Sequence, residues 1–331
     1  MNILIVKLSS LGDVVHAMPA VQDIRAVHPQ ARIDWVVETP FAPLVQRCDG
    51  VDTVIACALR RWRQSPLGAQ TGLEWRAFRD ALRRSSYDAV IDLQGLTKSA
   101  LVSRAAWLTV GGKRYAMANQ TEGSSYEAPT RWVADIAIRI DPRVHAVTRA
   151  RQLCAQALDY RVPADLRYGL RAIPLEAEPE DEPGRCVVLV HGTSRADKGW
   201  PDSHWLELGR ALIAQGFHVA LPHGDDAELE RCERLAQALG RGARVWPRLD
   251  LGRLTDCLAA CAGVIGVDSG LSHVAVALDL PHVQIYNFDT AWRTGPLAPP
   301  QATAPRQLAV FAEPTPDFEA VWQAWQRVAP R

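Results

Sequence analysis

Short continuous apolar runs alternate along this chain with longer stretches whose apolar residues recur at helical spacing. Ile3-Leu4-Ile5-Val6 reads as a buried strand over residues 2–7. A Ser/Gly turn and an amphipathic helix over 14–28, with Pro19 in its first turns, follow it. Arg32-Ile33-Asp34-Trp35-Val36-Val37 is the next strand, and a short helix and strand are expected near 41–47 and 51–56. Residues 73–85 predict a helix, and Tyr87 to Leu93 a strand. Gln94-Gly95-Leu96-Thr97-Lys98 then turns into another helix. Residues 113–145 carry no clear period and are expected to be irregular, before a helix from His145 to Leu158. The alternation restarts with strands at Cys186–Val190, Phe217–Leu221, Arg244–Trp246, Val264–Val267 and Val283–Tyr286. The last of these is expected to close the series. Helices lie between the strands, and a final amphipathic helix is expected over about 317–328. Strand–helix alternation of this kind predicts parallel sheets covered on both faces.

Length and composition turn one such sheet into two. A chain of 331 residues is long for a single core. The Pro/Glu/Gly-rich stretch between the two series reads as a linker. The predicted architecture is α/β, two doubly wound Rossmann-like domains facing across a cleft. A first domain spans 1–165, a linker 166–184 and a second domain 185–312. The C-terminal helix, 313–331, is expected to pack back on the first domain. Hydrophobic content of 48% and charged content of 22% suit an ordinary globular protein, and no apolar run is long enough to span a bilayer. Met1 leads directly into a strand, with no charged n-region and no cleavage site of a leader peptide. The seven cysteines form no CxxC pair and read as reduced thiols of a cytosolic protein. Net charge is zero, yet residues 1–160 hold 20 Lys/Arg against 15 Asp/Glu, and the remainder reverses the balance. A basic first half suits an anionic partner there, or unequal solvated surfaces.

Chemistry concentrates where strands end, since ligands of parallel sheets sit at the carboxyl ends of strands. Asp13 follows the first strand after Lys7, Ser10 and Gly12, and either caps its helix or serves as a general base. Lys7, Gln94 and Lys98 sit at or just past strand ends. Arg60, Arg61 and Arg63 form either a solvated basic turn or a clamp for phosphate or carboxylate. In the second half, His191-Gly192-Thr193-Ser194-Arg195-Ala196-Asp197-Lys198 offers close backbone approach, two hydroxyls and a point charge, although it lacks the Walker spacing. Val267-Asp268-Ser269-Gly270-Leu271-Ser272-His273 ends a strand and opens a helix, whose free amides attract anions. Together the two loops read as a diphosphate cradle. Glu228 is either a solvent-facing first-turn residue or a ribose-binding acid. No acidic metal pair is visible at either loop.

Val6-Lys7-Leu8-Ser9-Ser10-Leu11-Gly12-Asp13 resembles the start of the bacterial lipopolysaccharide heptosyltransferases, glycosyltransferase family 9. So do Asp92-Leu93-Gln94-Gly95, the run His191 to Pro201 and the run Val267 to His273, in order over most of the chain. Arg60-Arg61-Trp62-Arg63 and Lys98 look most like the members that add the first heptose to the inner core. The resemblance implies a GT-B fold and an inverting transfer from ADP-L-glycero-D-manno-heptose to the Kdo of Kdo-lipid A. That places the protein in the cytoplasm, peripheral on the cytoplasmic face of the inner membrane, with no nucleic-acid partner. No cofactor is obligatory, magnesium being at most stimulatory. By the same resemblance Asp13 is the catalytic base, and Lys198 supports departure of the diphosphate. The donor contacts are Thr193, Ser194, Lys198, Glu228, Asp268, Ser269, Gly270, Leu271 and His273, with Leu249 beside the adenine, and the acceptor falls to the first half. Relatives tend to carry Tyr-Gly-Pro-Thr-Asp-Pro after the last strand. Tyr286-Asn287-Phe288-Asp289-Thr290-Ala291 replaces it here and implies a different loop. Three other readings differ in acceptor or class: a transferase acting on a later core sugar, a nucleotide-sugar epimerase, and a non-catalytic nucleotide-sugar binder.

Overall fold

Each fully apolar run becomes an interior strand, because a strand covered by helices on both faces has no polar side to show. The computed structural model describes residues 1–175, 185–297 and 305–330. The chain divides into two units, Met1–Leu170 and Arg171–Arg331. The boundary falls inside the expected linker, of which residues 176–184 lie outside the described residues.

The first unit holds strands β1 (Asn2–Val6), β2 (Arg32–Glu38), β3 (Thr53–Cys57), β4 (Ser86–Asp92), β5 (Trp107–Met117) and β6 (Ile136–Ile138). All pairings are parallel, in the order β3-β2-β1-β4-β5-β6. The second unit holds β7 (Cys186–Val190), β8 (His218–Leu221), β9 (Ala243–Val245), β10 (Gly263–Val267), β11 (His282–Tyr286) and β12 (Gln307–Phe311). Its order, β12-β11-β10-β7-β8-β9, is the same pattern read from the other edge, again parallel throughout. Both sheets therefore have the doubly wound 3-2-1-4-5-6 order, in which the winding direction reverses once.

Three strands depart from the sequence expectation. The second half of β5 and all of β6 fall within the stretch 113–145 read as irregular, and β12 continues a series read as closed by β11. All three lie toward sheet edges, where half-exposed residues break the apolar run. The C-terminal helix, Phe318–Val328, packs within the second unit. Val321, Ala324, Trp325 and Val328, spaced as one helical stripe, are part of the second unit's own core with Trp200, Trp205 and Leu212. Asp317 caps that helix by accepting from Ala320 N at 2.9 Å. All seven cysteines are free thiols. Among the described residues no helix is long and apolar enough to cross a membrane.

Candidate functional site

In the first unit the winding reverses between β1 and β4, which leaves a crevice beyond their carboxyl ends. Two loops meet there and are stitched together. Gln94 Oε1 accepts from Leu8 N at 3.0 Å and Ser9 N at 3.1 Å, and Lys7 Nζ donates to Leu93 O at 3.1 Å. Beneath them Asp92, the last residue of β4, accepts from Gln94 N at 2.9 Å, Gly95 N at 3.1 Å and Ser99 Oγ at 2.9 Å. The turn needs glycine at 95, whose φ of +77° is costly for any side chain. Burial outweighs these hydrogen bonds and pushes the Asp92 carboxyl up to about 6.

Asp13 is the third residue of the helix Leu11–Val27, whose N-cap is Ser10. Its Oδ2 accepts from Ser10 N at 3.4 Å and Ser10 Oγ at 3.2 Å, so Asp13 does complete a capping arrangement. Its other oxygen faces two cations, Lys7 Nζ at 3.5 Å and Arg149 Nη2 at 3.7 Å. Burial alone would raise this carboxyl, but Lys7 first and Arg149 next outweigh it and hold it below the ordinary carboxylate range. Lys7 is itself lowered, chiefly by burial, against the pull of Asp13. The Asp13 side chain remains 36% exposed, so an ionised oxygen is presented at the crevice.

Arg149 comes from the helix Ala146–Ala157 and is oriented by Thr121, whose Oγ1 lies 2.9 Å from its Nη1. Lys98 reaches the same cluster, donating to Ser9 Oγ at 3.4 Å. The arginine turn divides. Arg60 lies beside buried Glu38, which burial raises and the Arg60 backbone N–H and Lys98 pull down. Arg61 is turned to Glu74, with two contacts of 3.0 and 2.6 Å, and Trp62 Nε1 joins it at 2.7 Å. Arg63 is exposed at the end of the short helix Leu59–Trp62. Lys7, Ser10, Gly12, Asp13, Gln94 and Lys98 are thus brought together. Arg61 is not part of that cluster.

In the second unit the winding reverses between β7 and β10, and again two strand-end loops adjoin. Lys198 Nζ lies 2.5 Å from Asp268 Oδ2, and His273 Nε2 lies 3.5 Å from Asp268 Oδ1. Burial opposes charge on Asp268, yet His273 and Lys198 overcome it and leave the carboxyl far below its usual range. Beside this triad the helix Gly270–Ala277 begins with Ser269 as its N-cap, which makes no side-chain capping bond. The buried Oγ of Ser269 and Oγ1 of Thr193 both lack a hydrogen-bond partner among the described residues. Two buried hydroxyls left unpaired at a helix start are what a bound anion would satisfy.

A crevice of about 560 Å³ adjoins these loops, lined among others by Gly192, Thr193, Trp200 and Glu228. Glu228 leans over Gly192 and accepts from Gly224 N at 2.7 Å. A Cβ on residue 192 would fall 2.3 Å from Glu228 Oε1, so glycine there allows the acid to close over the loop. Ser194 is exposed in the loop, Leu271 is half-buried in the first turn of its helix, and half-buried Leu249 precedes the helix Leu251–Ala259.

Three residues to which the sequence assigned no role, Arg149, Arg231 and Asn287, organise the sites. Arg149 joins Lys7 in holding the charge on Asp13 from 136 positions away, a separation across which no local pattern can point. Arg231 donates to His191 O at 3.1 Å and Trp200 O at 2.9 Å, clamping both ends of the Lys198 loop. Asn287, in the segment that departs from the heptosyltransferase pattern, donates through Nδ2 to Asp197 O and Gly199 O, both at 2.9 Å. Its Oδ1 accepts from Thr315 Oγ1 at 2.8 Å. The loop there is differently built, and it fastens the carbonyls on either side of Lys198.

The profile of glycosyltransferase family 9 (heptosyltransferase) matches residues 75–319. A lipopolysaccharide heptosyltransferase 1 of Pseudomonas aeruginosa is 39% identical over 303 residues, covering 89% of this chain and 81% of that protein. The structure of Escherichia coli heptosyltransferase WaaC with ADP superposes with a TM-score of 0.86 at 34% identity, covering 99% of this chain and all of the other. The same enzyme with ADP-2-deoxy-2-fluoro heptose gives 0.81 at 33% identity, with the same coverage.

Proposed function

Since the chain belongs to glycosyltransferase family 9, the heptosyltransferases, we propose that it moves L-glycero-D-manno-heptose from ADP-heptose to the Kdo sugar of Kdo-lipid A, with inversion at the anomeric carbon. The observation that carries the reading is Asp13, an exposed carboxylate held ionised by two cations at the first winding reversal. The E. coli enzyme bound to ADP and to a fluorinated ADP-heptose supports the donor.

The acceptor hydroxyl attacks the anomeric carbon on the face opposite the nucleotide. The new glycosidic C–O bond forms as the C–O bond to the β-phosphate breaks, ADP leaves with that electron pair, and Asp13 takes the hydroxyl proton. A carboxylate held this low is a weak base in the free protein. An anionic acceptor sugar that engages Arg149 or Lys7 neutralises part of the charge acting on Asp13 and raises its basicity when substrate is present. Negative charge that gathers on the departing diphosphate meets Lys198, the Thr193 and Ser269 hydroxyls and the amides that open the helix at Gly270. Glu228 takes the ribose diol, and Leu249 the adenine. The acceptor is lipid-borne, so the protein works at the cytoplasmic face of the inner membrane.

Purified protein, ADP-heptose and Kdo-lipid A, analysed by mass spectrometry, test the proposal. A product heavier by one heptose is expected, and Asp13→Ala should lower turnover by about 10²–10⁴-fold while leaving ADP affinity nearly unchanged. Donor consumption without acceptor, or full turnover in the variant, would overturn it.

A further inference from the structure

Across the second sheet the donor contacts proposed above fall in strand order. Leu249 follows β9, Glu228 follows β8, and the two diphosphate loops follow β7 and β10. Neighbouring strands lie about 4.8 Å apart, so adenine, ribose and diphosphate step across the carboxyl ends from one strand to the next. The next group along the donor is its sugar. The next strand end is that of β11, which runs into Asn287-Phe288-Asp289.

This is the segment in which Asn287-Phe288 stands where the heptosyltransferase pattern has Gly-Pro. Phe288 is 37% exposed, and among the described residues it is not part of the second unit's apolar core. One exposed aromatic side chain needs no explanation by itself, but this one is anchored. Its neighbour Asn287 is tied to the carbonyls on both sides of Lys198. The Phe288 carbonyl accepts from Thr290 N at 2.7 Å. The Arg195 guanidinium lies 5.8 Å from the centroid of the Phe288 ring, and Arg195 Nε donates to Asp197 Oδ1 at 3.0 Å. The ring is therefore held by the loop that carries Lys198, beside the diphosphate cradle.

We infer that Phe288 is the platform on which the sugar ring of the donor packs, and so a residue that reads the transferred glycosyl group. A pyranose ring presents an apolar C–H face. A flat aromatic ring covers that face while the hydroxyls at its rim keep polar partners. Arg195, already at the ring, carries further N–H donors for such hydroxyls. The inference rests on the proposed ADP-sugar donor and goes beyond it by naming what holds the sugar.

The test is titration calorimetry of the full chain with ADP and with ADP-2-deoxy-2-fluoro heptose, whose fluorine slows loss of the nucleotide. Phe288→Ala should bind the sugar nucleotide about tenfold more weakly, since part of a phenylalanine's apolar burial is forfeited. Its ADP affinity should stay within about twofold of the parent's. Phe288→Tyr keeps the ring and should restore the parent's affinity for the sugar nucleotide. A substitution that only loosened the Lys198 loop would weaken both nucleotides alike, so an equal loss of the two overturns the inference. Unchanged binding of the sugar nucleotide by Phe288→Ala overturns it as well. The proposed reaction is read separately, by mass spectrometry. A parent that transfers no heptose to Kdo-lipid A, yet shows the split between the two nucleotides, refutes that reaction and still supports the platform.

Discussion

Asn287→Ala tests how the Lys198 loop is held. Asn287 is 7% exposed, and its amide is the shared donor for Asp197 O and Gly199 O, both at 2.9 Å. Those carbonyls flank Lys198, whose ammonium sits 2.5 Å from Asp268. Alanine leaves both carbonyls without this donor and Thr315 Oγ1 without its acceptor. At a net ~0.5–1.5 kcal/mol for each hydrogen bond, the two bonds to the loop amount to about 1–3 kcal/mol. If the loop must be ordered for the diphosphate to bind, that cost appears in the donor complex as a loss of roughly 5- to 150-fold in ADP affinity. Arg231, which clamps the loop at His191 and Trp200, keeps the effect toward the lower end.

The assay is titration calorimetry with ADP, alongside steady-state kinetics and thermal unfolding. Asn287→Asp is the companion variant. It retains the acceptor for Thr315 but sets a carboxylate against two carbonyl oxygens, so it should bind ADP at least as weakly as the alanine form. A lowered Tm with ADP affinity within about twofold of the parent would refute the argument and make Asn287 a structural residue only.

The remaining predictions concern the charged groups. Lys198→Ala should weaken ADP binding and lower turnover together, by about 10- to 100-fold each, because a hydrogen bond to a charged group acts on the bound donor and on its departing diphosphate; calorimetry and initial rates check both. Asp92 has a folded value near 6 against an ordinary value of 3.8, so its protonated form is favoured by folding. Its contribution to stability is present below about pH 4 and is lost as pH rises through about 6, a cost of about 3 kcal/mol at neutral pH. Asp92→Asn keeps an oxygen for Gln94 N and Gly95 N and should flatten the stability–pH curve between pH 4 and 6; urea unfolding across that range checks it, and an unchanged slope would count against it.

What was legible in the chain follows from the range of the forces involved. Interior strands such as β1 and β10 announce themselves, because burial on both faces demands an unbroken apolar run. Asp13, Lys198 and Asp268 could be singled out because each lies in the segment that follows the carboxyl end of such a strand. β5, β6 and β12 were not legible. β5 mixes exposed and half-buried residues until its last two, β6 is three residues long, and β12 has no fully buried position. The helix Ala69–Leu82 starts earlier than its apolar period suggests, since its first turn packs on little. Arg149 and Asn287 were hidden for a different reason. The departure at 287 stood in the sequence, but its partners lie 88 and 90 positions upstream, and only the fold reveals that an amide replaces a turn.

The two sheets use one topology for opposite electrostatic tasks. At the first reversal Lys7, Lys98 and Arg149 gather around the carboxylate of Asp13, with Asp92 beneath. At the second, Lys198 is already paired with Asp268, and burial makes that pair hard to leave half-satisfied. Free cationic charge cannot then be the whole attraction for a diphosphate. The unpaired hydroxyls of Thr193 and Ser269 and the open helix start at Gly270 supply the rest, as dipoles aimed in advance at a leaving group whose charge grows during the reaction. Fixed dipoles need no reorganisation as that charge develops, whereas a mobile lysine on a long stem does. That difference explains why the loop bearing Lys198 is fastened by Arg231 and Asn287 on both sides: a flexible cation of the cradle is made to behave like its rigid neighbours.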